Sequence, residues 1–144
     1  MSERPRLTQI SGSVEALSHV YTIAGATDGS ETQFVNKTGA TVSITGATVV
    51  FDSDVTSNDT ANFAIQLINK GLLGVGATAV TSKVTFNTTR GDLAKLVPLA
   101  LTLSTTAANL LVAAGEVVTL DKTHNGTGGL ALPNGKLALQ FQFV

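Results

Sequence analysis

From Lys136 to Val144 the chain alternates with strict period 2. Leu137, Leu139, Phe141 and Phe143 fall on one parity, and Lys136, Ala138, Gln140 and Gln142 on the other. Successive side chains of a strand point to opposite faces, so this spacing predicts an antiparallel strand with one face buried. A helix would set Leu137 and Phe141 opposite Leu139 and Phe143 and bury neither pair well. Upstream, the same rhythm recurs. Leu17, His19, Tyr21 and Ile23 share one face of a first strand over Ala16–Ala24. Val42 and Ile44 lie on the even parity, Val49 and Phe51 on the odd, so the strand over Thr41–Phe51 changes phase at Gly46-Ala47. A glycine at such a phase change reads as a bulge or sheet corner, with a hairpin turn as the alternative.

Between these strands, Gly25–Thr32 reads as a loop and Gln33–Asn36 as a short pairing segment before the turn Asn36-Lys37-Thr38-Gly39. Asp52–Asp59 reads as a loop. Thr60–Lys70 admits two readings. Phe63, Ile65, Leu67 and Asn69 alternate, yet Asp59 could cap a helix that Gly71 ends. The β character of the flanking pieces favours a strand. Gly71–Thr78 is a glycine loop, Val80–Phe86 alternates as a strand, Asn87–Asp92 is a loop, and Asp92–Lys95 has room for one helical turn. Leu99–Leu103 alternates; Leu110 and Val112 lead into a turn at Ala114-Gly115, and Val118 and Leu120 lead out. Asn125–Gly129 is a loop and Leu130–Leu132 a short strand. Pro133-Asn134-Gly135 is a tight turn, since proline fixes φ and Asn-Gly tolerates positive φ. About eight or nine short strands with turn signals at regular intervals predict an all-β fold, an antiparallel β-sandwich or jelly roll.

The organisation that follows is an N-terminal arm over residues 1–16 and one β-sandwich domain over residues 17–144. Pro5 blocks regular pairing in the arm. If the arm orders on a partner, Arg4, Pro5, Arg6, Leu7 and Ile10 are its contact residues; a frayed terminus is the alternative.

Composition narrows the function classes. The 144 residues hold no cysteine, which excludes disulfides, thiolate metal sites and a cysteine nucleophile. Net charge is −1 and charged residues are 13%, half the usual quarter, so no basic stripe is available for a nucleic-acid backbone. Soluble monomers rely on charge for colloidal stability. A surface rich in Thr, Ser, Gly and Asn but nearly uncharged suits a protein packed against neighbours as well as it suits a plain soluble β-domain. The start MSERPRLTQI has no apolar stretch of signal-peptide type, and no run approaches the roughly 20 apolar residues of a membrane span. Cytosolic synthesis without a signal peptide, and no membrane partner, are the expectations.

Candidate chemistry is thin. Gly74–Ala79 spells G-x-G-x-x-A, but the dinucleotide fingerprint needs a helix after it and the pattern there is β. Gly71 to Gly76 has phosphate-loop spacing with Ala77 where lysine is required. Asp52, Asp54 and Asp59, with Asn58, could offer oxygens to a hard cation, although the calcium-hand spacing is not met. His19 reads as a sheet residue and His124 lies beside a turn; no nucleophile elbow accompanies them. Arg90-Gly91-Asp92 matches an adhesion tripeptide that also reads as a turn. Asn36, Asn58, Asn87 and Asn125 head four Asn-x-Thr sequons, which mark glycans only in a secreted protein. No catalytic, cofactor or metal residue is assigned, and the chain is not read as an enzyme.

One resemblance extends this reading. The leucine-rich Leu99–Leu103, then Ala114-Gly115-Glu116-Val117-Val118-Thr119-Leu120, then Lys122–Gly128, then Leu132-Pro133-Asn134-Gly135, resemble the capsid decoration (cement) proteins of tailed bacteriophages. Asn69-Lys70-Gly71 through Lys83 fits the same pattern, so the resemblance covers roughly residues 41–144. It rests on strands and turns, and the arm has no counterpart in it. The resemblance implies a jelly-roll-like sandwich. It also implies a structural virion protein that binds the outer surface of an assembled head, contacts the major capsid protein, stabilises the shell and forms a homotrimer. A head-fibre or tail-associated module binding host glycans is the alternative, but a glycan platform wants exposed Tyr or Trp, and Tyr21 is the one residue of either type.

Overall fold

A computed structural model describes residues 16–25, 28–126 and 132–144. They form two antiparallel sheets facing each other, the β-sandwich that the alternation predicts. One sheet runs β1 (Ala16–Ile23), β10 (Gly135–Phe143), β3 (Val42–Phe51), with β7 (Leu99–Ala100) and β8 (Leu111–Val112) both on the far side of β3. The other runs β2 (Gly29–Val35), β9 (Val117–Gly126), β4 (Ala61–Gly71), with β5 (Thr78–Ala79) and β6 (Val84–Thr85) both on the far side of β4. Each far edge is one strand position filled by two short pieces. Counted so, the chain has eight strand positions: first beside last, second beside next-to-last, alternating between sheets. That nesting is the jelly roll.

The core lies where the inward parities meet. Leu137, Leu139 and Phe141 of β10, Val42, Ile44, Ala47, Val49 and Phe51 of β3, and Phe63, Ile65 and Leu67 of β4 are all buried in one cluster. The phase change in β3 is a bulge: Gln140 pairs Gly46 while Phe141 pairs Ile44, which leaves Thr45 as the extra residue. The bulge keeps Ile44 and Ala47 both inward although their parities differ. Thr60–Lys70 resolves as strand β4, paired along its length with β9.

Five expectations are corrected. Gly29–Thr32 belongs to β2 rather than to a loop, because Lys122, Asp121, Leu120 and Thr119 of β9 pair with it; polar side chains there hide an edge strand. Asp92–Lys95 is no helical turn. Leu93 exchanges both backbone hydrogen bonds with Val55 (2.8 and 2.9 Å), tying two loops together. Asn125 and Gly126 continue β9 rather than opening a loop. Val80–Phe86 and Leu99–Leu103 are each broken as strands. Val80 donates to Leu67 O of one sheet, Leu101 to Ala47 O of the other, and between them Ser82 donates to Thr102 O and Ser104 to Val80 O. The two segments thus leave their sheets to pair with each other and close that edge of the sandwich. The arm contacts Arg4, Pro5, Arg6, Leu7 and Ile10, and Leu130 and Ala131 of the short strand, lie outside the described residues.

Candidate interaction surface

The residues singled out for chemistry do different work. Asp54 accepts from the Lys95 N–H (2.8 Å); Asp92 accepts from the Ser57 N–H and hydroxyl (2.8 and 2.7 Å); Asp59 accepts from the Thr88 N–H (2.9 Å) and hydroxyl. These carboxylates staple neighbouring loops. The hydrogen bonds from Thr88 and Ser57 hold the carboxyls of Asp59 and Asp92 below the usual range. Among the described residues no three His, Asp or Glu side chains come together as a metal site would require.

His19 is exposed on β1 with its ring tilted against Tyr21 at 4.6 Å; the His124 ring packs on Phe63 at 5.0 Å, and the His124 backbone N–H donates to Asp28. They stand on β1 and β9, in different sheets. Arg90 lies over the Phe86 ring at 5.2 Å and Asp92 is taken by Ser57, so the tripeptide folds back onto the sandwich. Two of the four Asn-x-Thr sequons have a local cause. Asn36 accepts from the Thr38 N–H and hydroxyl, and Asn58 from those of Thr60: a short amide closing a turn on the threonine two residues on. Asn36 is buried, donating to Ala40 O and Val112 O (2.7 and 2.8 Å). Concave space is small: among the described residues the recesses run from about 120 Å³, between Asp54, Asn62, Phe86 and Pro133, to about 280 Å³, between Thr56, Asp92 and Ala94, short of the roughly 300–1,000 Å³ of small-molecule sites.

What the molecule offers instead is surface. The outward parity of the β1–β10–β3–β7 sheet reads in rows: Ser18, Gln140, Gly46; Val20, Ala138, Thr48, Ala100; Thr22, Lys136, Val50. These side chains are small or amidic, and Lys136, which donates to the Thr22 hydroxyl (3.2 Å), is the one charge among them. At the end of the sandwich where β3 begins, four loops gather. Asn36 binds Glu116 and Gly115 through the backbone, and Asn69 donates to Glu116 (2.6 Å) and to Leu111 O (3.3 Å). From this end projects the β4–β5 tip, where Leu72, Leu73 and Val75 are 69%, 86% and 82% exposed.

Sequence reasoning took the tip only as a glycine loop. The run Leu-Leu-Gly-Val-Gly between two strands was the available signal, since aliphatic side chains on so short a connection have no core to reach. The buried Lys122, and Leu96 at φ 62, left no such signal.

No protein-family model matches the chain, and no curated protein matches it. Among solved structures it is similar to that of infectious bursal disease virus, Gx strain, at TM-score 0.48 and 12% identity, over 99% of this chain and 36% of that one. It is also similar to that of Desmodium yellow mottle tymovirus, at TM-score 0.38 and 8% identity, over 99% of this chain and 89% of that one. The chain thus spans about a third of the length of the first. Likeness at these scores decides nothing about function.

Proposed function

We propose that this chain is a structural virion protein that binds the outer surface of an assembled tailed-phage head and stabilises it, acting as a homotrimer on the major capsid protein. The observation that carries the reading is the outward face of the β1–β10–β3–β7 sheet, four strands wide with one charge in three rows. A rigid sheet of small neutral side chains can lie against another protein without desolvating charges, which is the chief cost of burying a surface. The sequence resemblance to decoration proteins supports the same reading, and so does the use of Asp54, Asp59 and Asp92 as staples. Interfaces of about 800 Å² per partner, repeated around a shell, give avidity without any strong single contact.

Co-sedimentation with expanded, empty heads assembled without this protein tests it. Saturable binding that protects heads against heat or dilution is expected. Binding to cells or immobilised glycans with no saturable binding to heads would replace this reading with the glycan-binding module.

A further inference from the structure

Eight large hydrophobic residues are exposed among the described residues, and five of them, Leu72, Leu73, Val75, Leu111 and Val144, sit at one end of the sandwich. The hydrogen bonds already described fix that grouping. Val144 donates to Thr41 O, Leu111 pairs Ser43, and Leu72 lies against Gly115. Single exposed aliphatics are ordinary, but a cluster projecting from one loop marks a contact surface.

The tip is also built to hold its shape. Gly71 and Gly74 take φ values of 71 and 75, which a side chain would strain. The Gly71 N–H is fixed by Asn69 Oδ1 and the Gly76 N–H by Lys70 O, both at 2.8 Å. A preordered loop loses little entropy on contact. Of the charges at its base, Lys70 is paired with Asp121 at 3.0 Å, while Glu116, which accepts from the neutral Asn69 amide, and the exposed Lys37 of the adjoining turn are opposite in sign.

We propose that the β4–β5 tip, with Leu72, Leu73 and Val75, is the surface through which copies of this chain meet one another. This deepens the assembly reading and rests on it for the homotrimer. Charge decides in favour of a second copy. Identical surfaces that meet around an axis bring like charges together, and only a tip neutral in itself escapes that repulsion. A lipid surface would instead be met by several unpaired lysines beside the aliphatics, whereas here Lys70 is committed to Asp121 and Lys37 is the one other lysine at this end among the described residues.

Light scattering and sedimentation of the full chain over a hundredfold concentration range test the proposal. Wild type is expected to pass to a discrete oligomer, and L73S/V75S to need at least tenfold more protein to do so, with an unchanged circular dichroism spectrum. L96S/V97S, altered at the other end of β3, is expected to match wild type. Because the chain lacks cysteine, V75C supplies a readout that does not depend on weakening the contact: mild oxidation should link V75C into covalent dimers and leave L96C monomeric. Wild type that stays monomeric both free and on heads, L73S/V75S that associates like wild type, or L96C linking in preference to V75C would each overturn it. If wild type associates through the tip yet binds no head, the self-contact stands and the capsid reading falls.

Discussion

Leu96 holds φ at 62, in the left-handed region where a β-carbon crowds the following carbonyl. Its N–H donates to Phe51 O at 2.8 Å, so the end of β3 fixes it in that conformation, and its side chain, 65% exposed, recovers no burial in return. Asparagine tolerates this region because its short amide bonds locally. L96N should therefore stabilise the fold by about 1 kcal/mol, a rise of a few degrees in Tm. Differential scanning calorimetry of wild type and L96N checks it; an equal or lower midpoint would mean that the leucine holds packing not evident here. Nothing in the sequence foretold this residue, because leucine has no leaning toward the left-handed region. Asn36 was half legible. Its turn with Thr38 could be read, but its hydrogen bond to Val112 O, formed by residues 76 apart in sequence, could not.

Elements are joined at the corner between β1 and β2 by a buried polar cluster. Lys122 of β9, with its side chain 4% exposed, donates to Ala24 O at 2.8 Å and lies 3.7 Å from Glu31 of β2. Glu31 also receives the Ala24 N–H (2.9 Å) and the Gln33 amide (2.9 Å). The end of β1, in one sheet, is thereby tied to β2 and β9 in the other. The two charges are not equally placed, since Glu31 is 23% exposed and Lys122 nearly sealed. Removing Glu31 strands a buried cation; removing the ammonium leaves a carboxylate that still has two donors and some water. E31A should cost about 3–5 kcal/mol, and K122M clearly less. The double variant should fall well short of the sum. Urea denaturation of the four proteins checks this, and strict additivity would show that the pair is not coupled. Strands with an apolar face, β3 and β10, were plain in the sequence, and β4 was favoured as a strand over a helix capped by Asp59. β2 was not plain: Ser30, Glu31 and Thr32 carry no hydrophobic period, and only their pairing with β9 makes them a strand.

Across the whole molecule, the jelly-roll order followed from no local signal, because which strand lies beside which is settled by contacts distant in sequence. Those contacts rest on carboxylates at three places. Asp59 and Asp92 are held low by Thr88 and Ser57. Burial pushes Asp121 up, but hydrogen bonds from Thr119, Ser30 and Lys70 and the charge of Lys70 together outweigh it, so its carboxyl too lies below the ordinary value. In all three the folded state binds protons less readily than the unfolded chain, whose aspartates titrate near about 3.9. Below that value the unfolded chain takes up protons first, and acid favours unfolding. The contribution of these groups is complete above about pH 5 and is lost as pH falls through their depressed folded-state values. The denaturation midpoint should hold between pH 7 and 5 and decline steadily below about pH 4. D59N/D92N/D121N keeps one acceptor oxygen at each site and removes the titration, so its midpoint should start lower at pH 7 and fall with a shallower slope. Parallel curves for the two proteins would place the acid sensitivity elsewhere, and loop staples would then not be what low pH undoes.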